Sequence, residues 1–319
     1  MKDPNSEVNG GNEVLLEEKK GVLRRAMLSA RPDFDDFYGY RGFPDGMLKD
    51  DKERLKKRLA EDREKGNAKS NDEFAKNMEP LLTYILNDER LLPTRDSFSF
   101  LASVYDDKLN GTDVVFGVQD SKKDFFVTFG ADAATGTDID NISKKFDNSF
   151  SWHDGTSYIK YCLHDDRRWR DRQAPHFVLG MSPASENNAF GHILINNDQL
   201  IGREEDFDAD FIILSEIHEE IFMCLDMLEG KKGENSLKRV EKLKRLIPAV
   251  NMGIRRVLSF NAKEYPDSTE RQNALFKKYQ EKIAEMKQYD AVYENIMGTT
   301  KEWRNEIKIG RIAEDNAQR

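Results

Sequence analysis

The sequence predicts an α/β (α+β) protein in which a central mixed sheet is flanked by helices and followed by a helical C-terminal appendage. Three observations carry this expectation. Apolar, β-branched and aromatic runs of strand length, Val114-Val115-Phe116 and Phe125-Phe126-Val127 among them, gather in the middle of the chain. They alternate with stretches of helical period, the pattern of a sheet covered by helices. From Phe207 onward, Phe211, Leu214, Ile217, Ile221, Leu225 and Leu228 recur at intervals of three and four, with no strand signal beyond them.

Taken in order, residues 1–30 are expected to be a disordered tail, because the segment opens polar, acidic and rich in Gly and Asn. Residues 31–93 form a helical or irregular segment. Its aromatics Phe34, Phe37, Tyr38, Tyr40 and Phe43, interleaved with glycine and acid, are expected to fold back on the core. Residues 50–65 are almost all charged, with Leu55 and Leu59 the only large apolar side chains, and read as a solvated helix or linker. Residues 72–87 carry an apolar face of Phe74, Met78, Leu81, Leu82 and Ile85, which Leu92-Pro93-Thr94 brings to an end.

The α/β core is expected over residues 94–200. Its predicted elements are a helix over 96–105, strands over 112–118 and 124–132, a helix over 137–150, and strands over 156–163 and 176–180. A weak helix or loop follows over 185–196. Because the strands are apolar on both faces, helices are expected on both sides of the sheet. Residues 201–319 read as helical: one helix over 207–228, a break at 230–233, a second over 237–260 kinked at Pro248, and a third over 269–297. Residues 307–319 are expected to fray, and the helices offer a surface for a homo-oligomer.

A chain of 319 residues buries a sizeable core without staples. Cys162 and Cys224, its only cysteines, make no disulfide framework, so a reducing, cytoplasmic setting is expected. No apolar run approaches the roughly 20 residues that cross a bilayer, so no membrane partner is expected. The net charge of -9 is uneven: residues 231–319 hold 20 Lys+Arg against 13 Asp+Glu, which is +7, and residues 1–230 hold 30 against 46, which is -16. A basic half can face nucleic acid, although a long solvated helix also accounts for it.

The chemistry concentrates on two aspartates set in apolar strands, Asp113 and Asp132. With a turn over residues 119–124, the antiparallel register that pairs them is centred between residues 122 and 123. Directly opposed residues have Cβ atoms roughly 4.5–5.5 Å apart, and like charges so placed destabilise a sheet unless they are used. Carboxylates at that spacing suit a shared divalent cation such as Mg²⁺ or Mn²⁺.

The order helix, Asp-bearing strand, strand ending in a second acid, helix and strand resembles the core of the PD-(D/E)XK nuclease superfamily, the restriction-endonuclease-like fold. The stretch Ala102-Ser103-Val104-Tyr105-Asp106-Asp107-Lys108-Leu109-Asn110-Gly111-Thr112-Asp113 is similar to the first motif of bacterial members. The resemblance covers residues 94–182 and implies a metal-dependent nuclease acting on DNA, with Asp113 and Asp132 as metal ligands. The lysine of the motif should stand two residues after the second acid, where this chain has Ala134. Lys144 or Lys145 on the following helix, or Lys160 within the strand Tyr158-Ile159-Lys160-Tyr161, are the candidates to replace it. Asp107, with Asp106, is a candidate further ligand, or closes a turn.

Asp165-Asp166-Arg167-Arg168-Trp169-Arg170 is a candidate nucleic-acid contact, in which arginines grip the backbone and the tryptophan stacks on a base. Cys162-Leu163-His164 lacks the further ligands of a zinc site. His218 lies in the stripe of 211–225 and is expected to be a hydrogen-bonded core histidine. Ser182-Pro183 reads as a helix N-cap followed by proline at the first helical position rather than as a nucleophile elbow. Two functions follow: a metal-dependent nuclease, or a catalytically inactive relative kept as a nucleic-acid-binding or protein-assembly module.

Overall fold

The computed structural model describes residues 4–64, 73–93, 97–120, 125–135, 139–148, 156–164, 167–229, 231, 233–260 and 267–317. At its centre is a five-stranded mixed sheet made of β1 (Ser97–Leu101), β2 (Val114–Asp120), β3 (Phe125–Ala134), β4 (Thr156–His164) and β5 (Arg167–Gly180), in the order β1-β2-β3-β5-β4. The first three strands form an antiparallel meander, and β5 returns parallel to β3. A mixed α+β architecture is thus what the sequence predicts.

The elements that differ do so for local reasons. Residues 97–101, expected to be helical, form β1, where Ser and Phe alternate with the pleat and Phe98 and Phe100 are buried. The helix begins later, as α4 (Val104–Asn110). Its N-cap Ser103 accepts from the Asp106 amide, and Gly111 closes it in the left-handed conformation at φ 67°. Residues 193–203, expected to hold no strand, make a small hairpin of β6 (Ile193–Asn196) and β7 (Gln199–Arg203). Asn197 and Asp198 turn it with φ of 48° and 58°, the positive pair that a tight hairpin turn requires.

Helices cover one face of the meander. Val114, Phe116, Phe129 and Ala131 point into the main core with Leu81, Leu82 and Ile85 of α3 (Glu73–Leu86) and the buried helix α7 (Phe207–Leu228). On the other face the expectation of helices fails. Phe98, Phe100 and Val115 pack instead against Ile159, Cys162, Ala174 and Trp169, because β4 and the first half of β5 bend back over the meander. Gly117 permits the close approach within the meander: a Cβ there would lie 2.6 Å from the Val127 carbonyl oxygen.

The predicted tail is helical. Residues Pro4–Ser29 form α1, which buries Leu23 in the main core and packs on α3, with Val22 buried beside it in sequence. The aromatic segment folds back as expected, through a 3-10 turn at Phe34–Phe37 and α2 (Asp45–Glu64), into a second core of Phe34, Phe37, Phe43, Leu48, Leu55, Tyr105 and Tyr161. The crossover from β3 carries α5 (Ile139–Phe146), and α6 (Pro183–Gly191) follows β5 with Ser182 as its N-cap and Pro183 at its start. The C-terminal region has three further helices, α8 (Glu234–Val257), α9 (Ser268–Tyr289) and α10 (Ala291–Ala317). Pro248 lies inside α8, Asp290 divides what reads as one long helix, and α10 continues through the residues expected to fray.

Carboxyls of α7 take backbone amides along the outer edge of β5. Beyond Pro175, β5 has no β4 partner among the described residues, and its outer amides are taken by carboxyls: Val178 donates to Glu220 at 2.9 Å, Gly180 to Glu216 at 3.0 Å, and Ser182 to Asp290 at 2.8 Å. Residues i and i+4 of a helix thus match amides i and i+2 of a strand. The second oxygens of Glu216 and Glu220 have no hydrogen-bond partner among the described residues, and burial raises both carboxyls well above the usual range. A raised folded-state pKa contributes stability below the unfolded value near 4.3 that is lost as pH rises. Glu216→Gln with Glu220→Gln keeps the acceptors and removes the titration. The double variant is expected to show a melting temperature that falls less than that of the parent as pH rises above the ordinary carboxyl range. Parallel profiles would contradict this.

Candidate active site

The hairpin register brings the two aspartates together. Val114 pairs with Ala131, so the next positions along the ladder are Asp113 and Asp132. The Asp113 amide donates to the Ala131 carbonyl at 2.9 Å, and the Ala133 amide donates to Asp113 Oδ2 at 2.8 Å. Two residues so paired share a face, and each carboxyl shifts the proton affinity of the other. Burial, then the charge of Asp132, pushes the Asp113 carboxyl well above the carboxylate range. Asp132 is held below it, chiefly by the Lys145 ammonium opposing the cost of burial. The two carboxyls are thus driven apart, Asp113 toward the protonated form and Asp132 toward the ionised one.

Lys145 comes from the last turn of α5, whose Ile142 and Phe146 are buried in the main core. It forms an ion pair with Asp132 Oδ1. The pair is open to solvent, at 31% exposure for the lysine side chain and 17% for the aspartate. Of the three lysines considered, the structure thus places Lys145 at the aspartates. Lys144, its neighbour, is exposed.

Lys160 is elsewhere. It is buried, in an ion pair with Asp51 of α2, its ammonium 5.1 Å from the centre of the Tyr105 ring, and Tyr161 donates to the same Asp51 at 2.6 Å. The lysine that interrupts an apolar strand has the partner its burial demands, and that partner docks α2. Asp107 also has a different role from that of a third ligand. Arg31 holds it at 2.8 Å through Oδ2 and Lys108 at 2.8 Å through Oδ1. Asp106 is wholly buried and accepts from the amides of Lys160 and Tyr161, from Ser103 and from Asn110. The register of β4 shifts between Ile159 and Cys162, and Asp106 takes the amides this bulge leaves over.

The arginine run is engaged within the fold. Trp169 donates to Thr128 at 2.9 Å and packs on Phe98, so its ring is not a stacking platform. Arg168 bonds the Asp36 carbonyl and stacks 3.9 Å from the Tyr40 ring centre, and Arg170 lies 5.6 Å from that of Phe43. Arg167 and Arg170 are exposed. Cys162 and Cys224 are buried free thiols. His218 meets Glu219 and Tyr279, both at 3.2 Å, inside the C-terminal helices.

The sequence reading missed Glu79. It lies on α3 between the buried Met78 and Pro80, and its signal is only an acid at the margin of an apolar face. Burial, then the negative charge of Asp107, raises it to about 7, against the opposing charges of Arg31, Lys108 and Lys145. It also raises Asp113. Among the described residues, no group of three or more His, Cys, Asp or Glu side chains converges tightly enough to hold a metal ion by itself. No described helix is long and apolar enough to cross a membrane. Comparison with family models, with curated proteins and with solved structures finds no match to this chain.

Proposed function

We propose that this chain is a metal-dependent phosphodiesterase of the restriction-endonuclease-like class, acting on nucleic acid and on DNA first. The observation that carries the reading is the placing of Asp113 and Asp132 opposite each other across the hairpin, with the Lys145 ammonium on the second. Two carboxyls persist opposite each other only where a shared proton or a cation offsets their repulsion. The succession of meander, α5 and a strand parallel to β3 supports the family resemblance read from the sequence.

The donor set fits Mg²⁺ or Mn²⁺, since Mg²⁺ commonly takes one or two protein carboxylates and fills its other positions with water and phosphate oxygens. Asp113 and Asp132 would hold the ion, which would polarise the phosphoryl oxygen and acidify a bound water. Asp113 must first lose its proton, so occupancy should rise with pH. Lys145 is positioned to turn from Asp132 toward negative charge developing on the phosphate. Glu79, titrating near neutrality, is able to exchange a proton with water at the site.

The test is a Mg²⁺ and Mn²⁺ titration of cleavage on single-stranded DNA, duplex DNA and RNA, beside Asp113→Ala and Asp132→Ala. Metal-dependent cleavage that both substitutions abolish is the expected result. Cleavage that survives both, or its absence on every substrate, would refute the reading. One observation favours a second reading, a module without catalysis: the Lys145 ammonium already sits on Asp132 and offsets part of the charge of the pair. Nucleic-acid binding without cleavage at any metal concentration would select it.

A further inference from the structure

We propose that the cavity between the N-terminal arm and the sheet is a nucleobase subsite that seats one unstacked base of the nucleic acid. The identity of the occupant rests on the hydrolase reading, and the cavity itself does not. Its volume is about 320 Å³, and it lies where the end of α1, the 3-10 turn and α2 face α4 and β4. That is near the lower bound of small-molecule sites, roughly 300–1,000 Å³, and admits a ring system but not a duplex.

The lining suits a base. Phe34, Tyr105 and Tyr161 form its aromatic wall, with Phe34 and Tyr105 each at 75° to Tyr161 and ring centres 5.0 and 5.4 Å from it. The three residues are 7%, 5% and 1% exposed, so they give the cavity a narrow apolar wall. Arg31 and Asp33 add a donor and an acceptor, the complement that an extruded base presents along its pairing edge. A cationic ligand would find the place taken, because Lys160 already lies over Tyr105 and is paired with Asp51. A phosphate would meet Asp33 and, through Arg31, Asp107. A neutral aromatic ring avoids both penalties.

Arg31 lines the cavity and holds Asp107, whose other oxygen holds Lys108. A base that enters the cavity must leave its stack. This predicts a preference for single strands or unpaired nucleotides over intact duplex.

The experiment uses the full chain in EDTA, titrated calorimetrically with deoxynucleoside 5′-monophosphates and with a short single-stranded oligonucleotide. Val104 lines the cavity and is 38% exposed, so Val104→Trp fills it from the surface. Leu28→Trp does so from the opposite wall, and circular dichroism verifies that both fold. Both variants are expected to weaken binding about tenfold or more, the scale of one lost stacking contact. Lys277→Ala, exposed on α9 and outside the cavity lining, is expected to leave binding within about twofold. No binding by the parent, or tryptophan variants that bind as well as it does, would overturn the proposal. The two readings fail separately: nucleotide binding without metal-dependent cleavage refutes the hydrolase, and cleavage insensitive to both tryptophans refutes the subsite.

Discussion

Lys145→Met is expected to reduce metal-dependent cleavage by about 10²–10³-fold, the usual cost of removing one preorganised group that stabilises developing charge. Lys160→Met should leave the rate within about twofold. The two lysines are separated by what they touch. Lys145 sits on Asp132 at a solvent-open site, and Lys160 on Asp51 beneath α2. Lys160→Met instead strips a buried carboxylate of its cation and should lower stability by about 3 kcal/mol. A double comparison of steady-state rate and urea midpoint checks this. If the rate follows Lys160 and the stability follows Lys145, the assignment is wrong.

The second large effect is on folding. Asp106→Ala is expected to cost about 3–5 kcal/mol, because it orphans four donors, of which only Asn110 is partly exposed. Two of them are backbone amides of the β4 bulge, which cannot turn toward solvent without unpicking the strand. Asp106→Asn retains one carbonyl oxygen and should lose about half as much. Urea denaturation followed by circular dichroism measures both, and a loss under about 1 kcal/mol for the alanine variant would show that the bulge has another support.

Both effects bear on what a sequence of this kind reveals. The placing of Asp113 opposite Asp132 was legible because hairpin register has a period of two and is set by the turn, so local spacing determines which side chains meet. The N-cap at Ser182, the long apolar α7 and the aromatic segment that folds onto the core were legible for the same reason: each signal lies within a few residues of its consequence. Residues 97–101 were misread because Ser-Phe-Ser-Phe-Leu is short, and a short apolar run satisfies helix and strand alike until β2 supplies its hydrogen bonds. The helix α1 was misread because its opening is polar, while Leu23, which anchors it in the main core, comes late and needs α3 to pack against.

The sequence by itself determined the mixed α+β class, the helical C-terminal region and the meeting of the two aspartates, all consequences of periodicity along the chain. Only the tertiary structure decided which lysine joins them, that Glu79 stands nearby, and that Asp106 and Asp107 serve a bulge and an arginine. The physical reason is that a long charged side chain takes whichever opposite charge the packing brings within reach. That partner can lie on any element: Lys145 meets Asp132 across a short crossover, whereas Lys160 meets Asp51 from a helix more than a hundred residues away.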